Sequence, residues 1–360
     1  MKMKHMLPSF LAAACCLLAL VSCRQEPDSG AGPVAPVDVK VYGKLAAVLG
    51  HESKKLELVD PGSGKVVKSI RLSGKPNGMA IDGNTAYVAE GGPGGVVEVV
   101  ALDTGTVKGA FPAGHTPMSP VVRNGKLYVA ARFDSKIVEM DASSGKVLNS
   151  WPASREPVAL AVSPDGKKIW AANHLPAGAA NGDFTAAALT LVENGKAVHF
   201  PLVNGTQGVR GMAVSPDGRY LAVAHVLSRY QVPTTQLDRG WMNTNAVTIM
   251  DTACPDRPHP VLLDDPDAGA ANPWGVLFSP DGSRLLVTHA GTHELSIIDF
   301  PALLARMKKE DRAGNPVSER LGFLHDIRTR VRLPLNGPRA LASDLSLIHI
   351  SEPTRLLSIS

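Results

Sequence analysis

With 360 residues, 44% of them hydrophobic, the chain is long enough for one large core or two ordinary domains. Aromatics reach only 5%, while Gly (34) and Pro (28) are abundant, a mixture that suits many short strands joined by turns and excludes an architecture of long helices. The formal charge of +4 is too slight to imply nucleic acid or an acidic partner.

The N-terminus opens on Lys2, Lys4 and His5, then an apolar run from Leu7 to Leu20. That run is too short to cross a bilayer and fits the hydrophobic region of a signal peptide. Leu20-Val21-Ser22-Cys23 follows and resembles a bacterial lipobox. The resemblance implies a lipoprotein signal peptide over 1–22 and lipidation of Cys23. Because Arg24 rather than Asp comes next, it also implies a lipid-anchored place in the cell envelope, at the outer membrane. An ordinary secretory signal with an incidental Cys is the alternative. Residues 23–37, with Pro27, Gly30, Gly32, Pro33 and Pro36, read as the lipidated Cys and a flexible tether. Cys15 and Cys16 leave with the signal, so Cys254 alone remains, reads as structural filler, and has no partner for an internal disulfide.

Internal repetition then sets the fold. Pro76, Pro117 and Pro157 open similar segments 41 and 40 residues apart. Later units begin near Val209, Pro273 and Pro338, at steps of 52, 64 and 65 that signal insertions. Ser-Pro-Asp-Gly recurs at Ser163, Ser215 and Ser279, each time before an apolar strand, and reads as a tight hairpin. Each unit parses into four antiparallel strands: for example Ala159–Val162, Ile169–Asn173, then in the preceding unit Val138–Asp141 and Val147–Trp151. Four strands repeated at a fixed period predict an all-β fold, a β-propeller over 38–343, with seven blades of which the last is truncated. Tyr87-Val88-Ala89-Glu90, Tyr128-Val129-Ala130-Ala131 and Trp170-Ala171-Ala172-Asn173 resemble the Tyr-Val-Thr-Asn repeat family of propellers.

The unit at Pro338 starts in register, but no Asp-Gly hairpin follows. The run Leu345 to Arg355 resembles a translated sequencing adapter, so 344–360 is expected to be a non-native tail, the authentic second strand of the last blade to be missing although the alternating pattern of this run suits a strand, and the ring to have an open seam.

Candidate site residues gather where second strands end and first strands begin. Seven residues past each turn Gly stand Glu90, Asn173, His225 and His289, with Arg132 and His174 at or beside that position and His51 close by in the first unit. Arg210, Trp274 and Arg339 follow the unit starts on the same face. The inserted loops add Arg229, Tyr230, Asp238, Arg239, Trp241 and Asn243 in blade five and His293 in blade six; long loops on a rigid scaffold carry function, and Arg, Tyr and Trp favour recognition. His225 and His289 are weak candidates for a metal, a haem edge or an anion; the alternative is that each caps its strand. Ala302 to Lys309 reads as a short helix on the opposite face or rim. No nucleophile elbow, phosphate loop or haem-attachment motif occurs, so this chain is expected to carry no cofactor and no catalysis of its own.

Gln231 to Asn245, Asn272-Pro273-Trp274-Gly275 and Thr288 to Leu295 resemble a subgroup in which such a propeller precedes a di-haem cytochrome c peroxidase-like domain. That resemblance implies a binding or scaffold domain of a periplasmic redox protein, monomeric, with haem c only in a following domain and a haem domain or redox protein as partner. The rivals are a self-contained propeller enzyme or ligand binder of the lactonase or haem-binding kind, and a surface interaction module without chemistry.

Overall fold

The three Ser-Pro-Asp-Gly segments form one turn three times over. In the computed structural model, which describes residues 35–230, 233, 235, 241–313, 320–334, 336–343, 348–351 and 356–359, Ser163 Oγ donates to Asp165 Oδ1 at 2.5 Å and accepts from Lys168 N at 3.0 Å. Gly166 N returns to Ser163 O at 2.8 Å. Ser215 and Ser279 repeat these bonds with Asp217 and Asp281. Gly166, Gly218 and Gly282 adopt φ of 76°, 74° and 71°, a left-handed conformation that costs glycine nothing and leads straight into the next strand. The Ser279 hydroxyl, then the Ser283 N–H and hydroxyl, hold the Asp281 carboxyl down to about 2.

Around these turns each sheet is an antiparallel meander. In blade one the strands are Pro36–Tyr42, Leu45–Gly50, Lys55–Asp60 and Lys65–Arg71, and further four-stranded sheets begin at Pro76, Pro117, Pro157, Thr206 and Pro273. First strands of successive sheets touch one another in a ring that closes on blade one. Second strands such as Thr85–Glu90 and Lys168–Asn173 are almost wholly buried on both faces, whereas fourth strands such as Lys65–Arg71 and Val147–Pro152 are mostly exposed. This gradient explains why the second strands read as unbroken apolar runs. The core lies between blades. Leu49 and Leu56 of blade one meet Met79 and Val88 of blade two. Tyr87 and Val97 of blade two meet Leu127 and Met140 of blade three, and the pattern continues round the ring.

The sheet count corrects the sequence reading: among the described residues there are six four-stranded blades, not seven, and a three-stranded sheet follows them. Its strands are Ala340–Ser343, Ile348–Ser351 and Leu356–Ile359, paired Ala340 with Ser351 and Ile348 with Ile359. Where no hairpin-led second strand was expected, the alternation Ile348-His349-Ile350-Ser351, whose period suits a strand, forms one. The expected open seam is overturned. Leu341 packs against Leu286, Leu295 and Leu333 of blade six, and Ala342 against Val39, Ala46 and Val48 of blade one.

The helix spans Phe300–Ala313, longer than its predicted core. Asp299 Oδ1 caps it by accepting Ala302 N at 3.0 Å. Phe300, Leu303 and Met307, one helical face, pack between blades five and six against Ala222, Ile249 and Phe278. The helix follows the third strand of blade six, and so leaves the face opposite the unit starts. Among the described residues no helix is long and apolar enough to cross a membrane. Cys254 is exposed in the turn after the third strand of blade five, not the filler expected.

Candidate functional site

The strand register explains what the residues at the ends of the second strands do. Opposite the residue two positions earlier stands Glu98 in blade two, Thr190 in blade four, Thr248 in blade five and Ser296 in blade six. Asn173 Nδ2 donates to Thr190 Oγ1 at 3.1 Å and to Ala188 O at 2.6 Å. His225 donates from Nδ1 to Val226 O (3.2 Å) and pairs through Nε2 with Thr248 Oγ1 (2.7 Å). His289 likewise donates to Ala270 O (3.0 Å) and pairs with Ser296 Oγ (2.7 Å). Both rings are fully buried. Burial lowers His225 to about 4 and, with Arg328 and Arg330 nearby, His289 to about 3. They are neutral at pH 7, and each has both nitrogens committed to hydrogen bonds, which leaves no lone pair for a shared metal. Among the described residues no three His, Cys, Asp or Glu gather as a metal site. Blade two replaces the imidazole with an acid pair: Ser73 Oγ lies 2.8 Å from Glu98 Oε1 and 3.0 Å from Glu90 Oε2. Burial, then the Glu90 charge, pushes the Glu98 carboxyl up.

The residue after the second strand ties neighbouring blades together. His51 Nδ1 donates to Pro76 O and His174 Nδ1 to Val209 O, both at 2.8 Å. Arg132 reaches Glu156 of the next blade through Nε (3.2 Å) and Nη2 (2.7 Å). His293, at φ 60°, accepts Gly337 N at 3.0 Å and so pins the linker to the three-stranded sheet. The blade-five insertion is closed at its neck by Arg229 N on Met242 O (2.8 Å) and by Ser228 Oγ on Asn243 Oδ1 (2.7 Å). Tyr230 OH crosses to Asn204 of the linker from blade four at 3.0 Å, and the Trp241 indole lies over Gly269 of the next linker. Asp238, Arg239 and Cys23 lie outside the described residues.

One cluster the sequence placed only by face is assembled at the channel mouth. The first strands of blades five and six break register between Gln207 and Gly211 and between Pro273 and Val276, and such bulges re-aim side chains. Arg210 and Trp274 sit in those breaks. The Arg210 guanidinium carbon stands 4.4 Å from the Trp274 ring centroid and that of Arg339 4.7 Å. Arg339 Nε is buried without a partner. Burial, then the charges of Arg132 and Arg339, lowers Arg210. Burial, then Arg210 and Arg132, also lowers His174 beside it, against its bond to Val209 O.

No family model matches the chain. Over 183 residues it is 27% identical to hydrazine synthase subunit beta of Kuenenia stuttgartiensis, a stretch that is 50% of this chain and 44% of that protein. The chain thus matches less than half the length of this curated relative. Its structure superposes on a chain of Kuenenia stuttgartiensis hydrazine synthase with a TM-score of 0.81 at 21% identity, covering 93% of this chain and 98% of that one. The shared feature is the propeller. Streptogramin B lyase shares it as well, at a TM-score of 0.63 and 12% identity over 91% of this chain and 94% of that one.

Proposed function

We propose that this propeller is a lipid-anchored docking domain of the cell envelope that seats a haem-bearing redox protein on its loop face. The observation that carries the reading is where the exposed aromatic and methionine side chains stand. Phe133 (51% exposed), Phe184 (56%), Tyr230 (41%) and Met242 (47%) all lie on loops joining second to third strands, from three successive blades, on one face. Exposed large apolar side chains grouped on one face of a rigid scaffold mark a protein-binding surface. Tyr230 and Asn204, Trp241 and Gly269, and Asn245 Nδ2 with Asp264 Oδ1 (3.0 Å) brace this face across blades. The likeness to a protein named as a subunit of hydrazine synthase supports a role among other chains. The resemblance to propellers that precede a cytochrome c peroxidase-like domain supports haem c as the partner's group, held in a domain after residue 343 or in a separate protein, with 344–360 as a non-native tail. Cys23 supplies the anchor to the outer membrane in this reading.

Photo-cross-linking from Tyr230 or Phe184 in intact envelopes tests it. A cross-linked product that stains for haem is expected; products that never stain for haem would overturn the redox assignment. In parallel, Cys23→Ser should release the protein from the membrane fraction, and a variant still in membranes would refute the anchor. Sequencing through the uninterrupted gene should reveal Cys-x-x-Cys-His beyond residue 343 if the haem domain is fused.

A further inference from the structure

The geometry points to a carboxylate-binding site at the channel mouth, built from Arg210, Trp274 and Arg339. This inference is independent of the docking reading: it needs only a small ligand, not a protein. The three residues come from three neighbouring sheets and occupy one place in the repeat, immediately after Val209, Pro273 and Pro338. In the earlier units that place holds Val37, Asn77, Met118 and Val158. Cationic side chains are therefore confined to one arc of the mouth.

The arc is held tight by its backbone. A Cβ on Gly211 would stand 2.0 Å from Trp274 O, and one on Gly275 would stand 2.5 Å from Arg339 O. Only glycine at both positions lets the three first strands approach so closely, and that approach brings both guanidiniums to the same indole. Gly275 N also donates to Thr288 Oγ1 at 2.8 Å, which fixes the strand beside Trp274.

The charge balance gives the site its ligand class. Arg132, the other cation within electrostatic reach of Arg210, is already paired with Glu156. Among the described residues neither Arg210 nor Arg339 has a carboxylate within ion-pair distance, and Arg339 Nε has no hydrogen-bond partner at all. His174 beside them is neutral at pH 7. Two half-buried guanidiniums repelling one another are costly unless an anion joins them. The rigid fork of guanidinium donors matches a carboxylate bidentately. Each guanidinium carbon lies within 5 Å of one ring centroid, so a short dicarboxylate is able to engage both and a monocarboxylate one.

Isothermal titration of the intact chain with succinate and with acetate tests this, alongside tryptophan fluorescence. Saturable succinate binding is expected, tighter than acetate, with a fluorescence change that Trp274→Phe removes. Arg210→Gln and Arg339→Gln should each weaken succinate at least tenfold. Arg284→Gln, which removes a surface partner of Asp299 at the far end of blade six, should leave binding unchanged. If a glutamine variant does not fold, Arg339→Lys keeps the charge but not the fork, and should still bind at least tenfold more weakly. No saturable binding of either acid, or binding that ignores substitution of both arginines at the mouth, would overturn the site. A chain that binds succinate but yields no haem-staining cross-link keeps this inference and loses the docking reading; the reverse result does the opposite.

Discussion

Acid should unfold this propeller chiefly through two histidines. His225 and His289 are fully buried and neutral, with folded values of about 4 and about 3, against an unfolded imidazole near 6.5. Both folded values are depressed. The unfolded chain therefore binds more protons between 6.5 and the folded values. Stability contributed by the two rings is complete above that range and falls as pH drops through it. At about pH 5 each ring is still neutral in the fold, while the unfolded chain holds almost a full proton at each. That is roughly 1.5 pH units of linkage, or about 2 kcal/mol per histidine and about 4 kcal/mol for the pair. Full burial means no solvent screening reduces this figure. Asn173 shows what replaces an imidazole at this register, since it too reaches the facing hydroxyl, donating Nδ2 to Thr190 Oγ1 where the neutral rings accept. His225→Asn with His289→Asn should cost about 1 kcal/mol per site at pH 7 and remove the acid sensitivity. The measurement is urea unfolding at pH 7 and pH 5, followed by tryptophan fluorescence and circular dichroism. The parent should lose about 4 kcal/mol more than the double variant on acidification. Equal losses in the two proteins would refute the argument, because the protons would then be binding elsewhere.

Glu98 carries the opposite sign: its folded value is raised, so it opposes folding at pH 7, less so as pH falls through that value, and no longer once pH is below the ordinary carboxyl value of the unfolded chain. Glu98→Gln should therefore raise the melting temperature at pH 7 and have little effect near pH 4, as read by calorimetry. Gly211→Ala drives a Cβ to 2.0 Å from Trp274 O; a loss of about 1–3 kcal/mol and a shifted tryptophan emission are expected from denaturation. Ser279→Ala removes a hydroxyl that bonds Asp281 and Arg284 N and should cost about 1 kcal/mol in the same assay.

The repeat period and the Ser-Pro-Asp-Gly turns made the blades legible, because a turn that needs a left-handed glycine leaves a fixed residue signature. Counting from those glycines also placed Glu90, Asn173, His225 and His289 at one register position. What the histidines do there was legible only as one of two readings, a ligand set or strand caps. Their hydrogen-bond partners, Thr248 and Ser296, lie on strands separated from them by loops of unequal length. The Arg210–Trp274–Arg339 contact was equally hidden, since it depends on two register breaks and two close backbone approaches between blades. The last sheet was legible only in part, because its second strand lacks the Asp-Gly hairpin and shows alternation alone.

That last sheet links the fold to the site. Its first strand, Ala340–Ser343, lies between blade six, through Leu341, and blade one, through Ala342. Arg339 directly precedes this strand, and its carbonyl oxygen stands 2.5 Å from where a Cβ on Gly275 would be. Ring closure and the second guanidinium at the mouth thus depend on the same few residues. A sheet that slipped by one residue would exchange the faces of Leu341 and Ala342 and turn Arg339 away from Trp274. The apolar contacts of the strand therefore fix the geometry of the charged residue beside it. Leu341→Ala should consequently weaken carboxylate binding as well as stability, although Leu341 is packed in the core and is not one of the three residues proposed to bind the ligand.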